Sequence, residues 1–183
     1  MARVLAISGS LRSQSSNTTL LHAIAMLALP GVVISIYDGI GNLPHFNPDL
    51  EGTPGPAVLD FCRRLRESDA VLISSPEYAH GVPGVLKNAL DWIVGSGELV
   101  DKPVALINAS PQSTHAYASL AETISVMSAQ LVKNACVTLP FWNKTLDERG
   151  VAAHPEISSL LTKSIIEFVN AIEGRRIEGP GFL

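Results

Sequence analysis

The chain has 183 residues, enough for one domain with a sizeable core, and no Gly/Ser/Pro-rich linker or charge run divides it, so one domain over 1–183 is expected. Its 46% hydrophobic and 16% charged residues place it well away from disordered chains. A net charge of −4 with no Lys/Arg-rich stretch offers no basic surface to a nucleic-acid backbone or an anionic membrane.

The chain opens almost at once on a strand-like run, without a basic segment followed by an apolar one. No apolar stretch approaches the roughly 18 residues of a membrane span, so a cytoplasmic protein is expected. Val4-Leu5-Ala6-Ile7 suits a strand covered on both faces. It runs into the loop GSLRSQSSN, residues 9–17, after which Leu20, Leu21, Ile24, Leu27 and Ala28 recur at helical spacing. Ser16 or Asn17 is the expected N-cap, and Pro30-Gly31 the stop.

The alternation then repeats. A strand from Val32 to Tyr37 precedes a helix with Val58, Phe61, Cys62 and Leu65, and a strand from Ala70 to Ser74 precedes one with Leu86, Ala89, Leu90 and Ile93. A strand from Val104 to Asn108 leads to a helix carrying Leu120, Ile124, Met127 and Leu131. The last predicted pair is a strand from Ala135 to Leu139 and a helix through Ile157, Leu160, Leu161, Phe168, Val169 and Ile172. Five βα units predict an α/β fold, a parallel five-stranded sheet of order 2-1-3-4-5 with helices on both faces. In that order a ligand sits beyond the carboxyl ends of strands 1 and 3, where successive connections leave in opposite directions.

The unusual residues fall in those two places. After strand 1, Ser10, Ser15, Ser16 and Asn17 surround the positive end of the first helix, an anion site built of neutral donors. Arg12 adds one cation able to grip a terminal phosphate through two hydrogen bonds. Neither GxxxxGK[ST] nor GxGxxG occurs in this turn, which argues against a triphosphate or dinucleotide loop. After strand 3, Pro76-Glu77-Tyr78-Ala79-His80-Gly81 begins a stretch with two prolines and two glycines, a stiff backbone against which a flat ring can lie. The plain reading of the same stretch is a stiff helix-capping loop, with Lys87 and Asp91 as a surface i, i+4 pair.

GSLRSQSSN together with PEYAHGVPGVLKNALDW resembles the NADPH-dependent FMN reductase family of flavodoxin-like proteins, which includes quinone, azo-dye and chromate reductases. The resemblance covers nearly the whole chain in order and spacing. It implies a flavodoxin-like three-layer sandwich, bound FMN, and NADPH or NADH as co-substrate. It also implies a small acceptor such as a quinone, free flavin, azo dye or metal oxyanion. Ser10, Arg12, Ser15, Ser16 and Asn17 would hold the FMN phosphate, and Pro76, Glu77, Tyr78, Ala79, His80 and Gly81 would line the ring and ribityl chain. Many members carry a Gly-rich turn after strand 4; here the stretch reads Asn108-Ala109-Ser110-Pro111-Gln112-Ser113-Thr114-His115-Ala116, so Ser110 alone is carried over from it. The redox step belongs to the flavin, and no catalytic side chain is expected.

Cys62 and Cys136 lie far apart, each in an apolar segment, which excludes a CxxC pair and predicts two buried free thiols. The five histidines have no H-x₃-H or HExxH spacing, so no metal site is expected, and His22 reads as an exposed helix residue. Glu77 either orients the second loop, reaches a partner subunit or is simply solvated. Tyr78 either stacks near a ring or pins the loop as a core aromatic. The long Gly- and Pro-rich connection 37–56 is expected, with the helix from Gly84 to Val94, to form a dimer face, within a homodimer or homotetramer. Two competing readings are an electron carrier served by protein partners, and a phosphate-ligand binding protein without redox work.

Overall fold

Strand β1 (Ala2–Ser8) is buried at every position but Arg3, because it is hydrogen-bonded on both edges and covered on both faces. The computed structural model describes residues 1–140 and 146–178. Around β1 the sheet is parallel, with β2 (Val32–Tyr37) on one side and β3 (Ala70–Ser74) and β4 (Pro103–Asn108) on the other. β5 (Gln130–Leu131) extends the order to β2-β1-β3-β4-β5, and β6 (Val137–Thr138) also pairs with β4. The predicted order 2-1-3-4-5 is therefore observed.

Period-two alternation in the central strands feeds two cores. Leu5, Ile7, Val71, Ile73, Val104 and Leu106 point to one face, against α2 (Pro56–Glu67), α3 (Gly84–Val94) and α4 (Thr114–Val126). Val4, Ala6, Ala70, Leu72, Ala105 and Ile107 point to the other, against α1 (Ser16–Met26), α5 (Glu148–Ala153) and α6 (Pro155–Glu178). Among the described residues no helix is long and apolar enough to cross a membrane.

Three boundaries differ from expectation. Helix α1 is capped by Ser15, not Ser16 or Asn17: the backbone of Ser15 is extended and its hydroxyl accepts from the Thr18 amide at 3.3 Å. Helix α4 ends at Val126, so Met127 is its C-cap and Leu131 belongs to β5. The left-handed residue Ser128 (φ 58) turns the chain out of the helix, which apolar spacing alone does not register.

The fifth strand position is also not the continuous run 135–139. β5 and β6 share it, separated by a 3₁₀ turn at Lys133–Ala135. The turn interrupts the ladder along β4, and the Leu106 amide there donates to Cys136 Sγ at 3.3 Å. Cys136 is accordingly only half-buried, whereas Cys62 is buried as expected; both are free thiols.

The connection 37–56 carries 3₁₀ turns at Ile40–Asn42 and Pro48–Leu50 and is fastened to α3. Asn88 accepts from the Phe46 amide at 2.7 Å and donates to the Pro44 carbonyl at 2.9 Å. The Trp92 indole donates to the same carbonyl at 2.7 Å, and Phe46 meets the Trp92 ring edge-on at 5.2 Å.

Candidate functional site

Three central strands end in a buried polar residue: Ser8 in β1, Ser74 in β3 and Asn108 in β4, all at 5% exposure or less. Buried polar groups must be satisfied: Ser8 and Asn108 do so by organising the loop that follows, and Ser74 by reaching back to α1. The Ser8 hydroxyl accepts from the Thr18 hydroxyl at 2.8 Å and from the Ser10 amide at 3.3 Å, tying loop to helix. Ser74 donates to the Asn17 side-chain oxygen at 2.9 Å. Asn108 accepts from the Ser110 amide and donates to the Ser113 carbonyl, both at 3.1 Å, folding the third loop back on itself.

At the start of α1 the Thr18 amide is taken by Ser15 and the Thr19 amide makes the first helical bond, while Ser16 and Asn17, whose amides precede both, line the cleft. Asn17 is 6% exposed, and with its oxygen engaged by Ser74 its NH₂ group is left to donate into the same space. Ser10, Ser15, Ser16 and exposed Arg12 complete a cradle of donors with one cation. The cradle abuts the second loop at Gly9, whose amide donates to the Ser74 carbonyl at 2.8 Å. A Cβ at Gly9 would lie 2.6 Å from Ser75 Oγ and 3.2 Å from a Leu86 methyl.

The second loop holds a strained turn. Tyr78 and Gly81 exchange both backbone hydrogen bonds, which forces Ala79 (φ 49) and His80 (φ 60) into the left-handed region. Two adjacent positive φ values are the requirement of a type I′ turn, usually met by Asn and Gly. Tyr78 is thrown outward, at 54% exposure, so it is not a core aromatic. Glu77 beside it is not solvated: its side chain is 10% exposed, Oε2 accepts from the Ala116 amide at 2.8 Å and Oε1 lies 3.1 Å from His80 Nδ1. The hydrogen bond from Ala116, opposed by desolvation and reinforced by His80 and His115, holds this carboxyl below the usual glutamate range. Glu77 thus orients the second loop by pinning it to the start of α4.

The three loops enclose a cleft of about 550 Å³, within the size range of cofactor sites. Of the residues singled out in the sequence, Ser10, Arg12, Ser15, Ser16, Asn17, Pro76, Glu77, Tyr78 and Ser110 line it. Ala79, His80 and Gly81 belong to the turn at its edge rather than to its walls. Sequence reasoning passed over Ser75, Asn108, Pro111, Gln112, Ser113 and Pro140, which also line the cleft. The available signal was the polar residue that closes each apolar strand run. Among the described residues no group of three or more His, Cys, Asp or Glu is arranged to hold a metal ion.

The sheet order and a cleft at its carboxyl edge define a flavodoxin-like α/β protein. The sequence profile of NADPH-dependent FMN reductases matches residues 2–144, and the chain belongs to that family. It is 43% identical over 112 residues to an NAD(P)H-dependent FMN reductase of Pseudomonas aeruginosa, a match spanning 59% of this chain and 60% of that one. It is 44% identical over 114 residues to an NADPH:quinone oxidoreductase of Arabidopsis thaliana, spanning 59% and 58%. The aligned stretch therefore takes in only about three fifths of these curated relatives. Among solved structures, the flavoenzyme NAD(P)H:(acceptor) oxidoreductase FerB of Paracoccus denitrificans superposes with a TM-score of 0.79. The identity there is 29%, with 95% of this chain and 98% of that one covered.

Proposed function

We propose that this chain is an FMN-dependent oxidoreductase that draws electrons from NADPH or NADH and delivers them to a small acceptor of quinone type. The observation that carries the reading is the pairing of a neutral-donor anion cradle at the start of α1 with a stiff slot after β3, both opening into one cleft. The residues present fit an FMN phosphate: the half-used amide of buried Asn17, the hydroxyls of Ser10 and Ser15, the first amides of α1 and the Arg12 guanidinium are all donors. Bound FMN supplies the hydride chemistry.

This chain's own residues do the positioning. Pro76 and Tyr78 wall the slot, Glu77 holds that wall to α4, and Asn108 shapes the opposite wall through Ser110 and Ser113. No side chain is needed to form or break a bond. The family membership and the names borne by the Pseudomonas and Arabidopsis relatives support a quinone or a free flavin as acceptor.

The reading takes 1–183 as one FMN-binding unit in the cytoplasm, where NAD(P)H is supplied. Homo-oligomerisation rests on the apolar side chains exposed beside the connection 37–56 and α3: Leu50 at 42%, Leu59 at 51% and Val94 at 60%. A monomeric mass at micromolar concentration overturns that part alone.

The deciding measurement is the visible spectrum of the purified protein with added FMN, followed by anaerobic NADPH and then a quinone. Bound flavin that is bleached by NADPH and recovers with the quinone bears the proposal out. Bound flavin that NADPH leaves unchanged favours the electron carrier, and no binding at tens of micromolar FMN ends the assignment.

A further inference from the structure

The third loop carries a hydrogen-bond donor that nothing so far has used. Ser110 to Ser113 is a tight turn, closed by the Ser113 amide donating to the Ser110 carbonyl at 3.2 Å, with Pro111 and Gln112 at its centre. At Gln112 the polar groups are taken one after another. Its backbone N–H donates to Ser110 Oγ at 3.3 Å, its carbonyl accepts from the Thr114 amide at 3.0 Å, and its side-chain oxygen accepts from the Ser110 hydroxyl at 3.2 Å. What remains is the NH₂ group of the carboxamide, which has no acceptor among the described residues. Gln112 lines the cleft and is exposed, whereas Ser110 on the same wall is half-buried and Asn108 is buried. The wall therefore rises from the core to solvent and carries this donor at its outer end.

We propose that Gln112 is a specificity-determining residue for the electron acceptor, its NH₂ group donating to a carbonyl oxygen of the quinone. The segment 108–116 contains no Lys or Arg, so its donor suits an uncharged oxygen better than a second phosphate. The outer end of the wall is where a molecule that comes and goes is met, while the donors fit for a retained phosphate stand together on the first loop and α1. The turn also prepares the group. A free glutamine side chain loses rotamer freedom when it grips a ligand, but here Ser110 already holds the oxygen and the backbone amide of the same residue. The Ser110 hydroxyl fixes which end of the carboxamide is left to donate, so the loop selects acceptors that present a carbonyl over those that present none.

The inference rests on the flavin reading, and the test separates the two. The probe is duroquinone, whose ring methyls block addition of protein thiols. The reference acceptor is ferricenium, a one-electron oxidant with no oxygen or nitrogen to accept a hydrogen bond. Gln112→Glu keeps an oxygen for Ser110 and removes the donor, and Gln112→Met removes both at similar length. In each variant the ratio of kcat/KM for duroquinone to that for ferricenium is expected to fall roughly three- to tenfold, the size of one neutral hydrogen bond, while the FMN dissociation constant changes by less than about twofold. A second readout needs no turnover. In the oxidised, FMN-loaded protein without NADPH, the side-chain N–H resonances of Gln112, assigned by their absence from the Gln112→Glu spectrum, are expected to shift on addition of duroquinone. A ratio equal to the parent's, a matching loss of FMN affinity, or resonances that do not move overturns the role of Gln112 and leaves the flavin reading standing. A parent protein that binds no FMN removes both.

Discussion

Ser74 donates its hydroxyl to the side-chain oxygen of Asn17 across 2.9 Å, joining residues 57 positions apart in the chain and both buried. The bond engages the Asn17 oxygen and so leaves its NH₂ group, on a residue that lines the cleft, as the donor. The donor groups at the start of α1 are therefore oriented from β3, the strand whose following loop lines the same cleft.

That relation makes the sign of the charge at position 17 testable. Asn17→Asp puts a carboxylate where a donor stands, and FMN affinity is expected to fall at least tenfold, or about 1.5–3 kcal/mol, the range for a hydrogen bond to a charged group. Riboflavin, which has no phosphate, should be affected far less. Quenching of flavin fluorescence measures both. Equal losses for the two flavins would remove Asn17 from the phosphate site.

Gly9 is where the first two loops touch, and its backbone carries no positive φ, so the demand on it is purely one of space. Gly9→Ala brings a methyl to 2.6 Å from Ser75 Oγ, and a loss of about 1–3 kcal/mol is expected from overpacking. Ser75→Gly in the same chain should restore most of it. Urea unfolding of the two single variants and the double variant gives the coupling.

The type I′ turn offers the opposite test, since the strain at Ala79 (φ 49) is conformational. Ala79→Gly is expected to stabilise the fold by about 1 kcal/mol, whereas Ala79→Val, branched at Cβ, should cost about 1–3 kcal/mol. Thermal unfolding of both variants shows the order. A glycine variant less stable than the parent would mean that the turn is not strained.

Lys102 is 6% exposed and donates to the carbonyls of Leu65 and Ser68 at 2.6 Å each, closing the end of α2. Burial is the main cause that pulls its ammonium down to about 8. The unfolded chain thus binds a proton that the folded chain releases between about pH 8 and the ordinary lysine value near 10.5, and stability rises with pH across that window. Between about pH 8 and 10 the gain should be about 2 kcal/mol, read by urea titration against Lys102→Met, in which it disappears. Parallel curves for the two proteins would mean that Lys102 titrates normally.

Where sequence reasoning worked, the signal was local. Ser10 to Asn17 and Pro76 to Tyr78 were legible because they follow strongly apolar runs at positions where a parallel sheet gathers its loops. Glu77 was legible only as a set of alternatives: its partner, the Ala116 amide, lies 39 residues on, and nothing in the composition of either segment marks the pairing. The run 135–139 looked like one strand because periodicity does not reveal a 3₁₀ turn at 133–135 or a sulfur that takes the place of a carbonyl.

The sequence by itself determined the order of elements, the two-faced burial of the central strands and the kind of donors placed after β1 and β3. Apolar period, caps and turn residues act within a few positions of one another. The tertiary structure alone decided which partner the Asn17 side chain meets, that Glu77 ties the second loop to the start of α4, and how the fifth strand position is shared. Each of these depends on sheet register and on contacts between distant segments, whose energies exist only once the strands have been brought side by side.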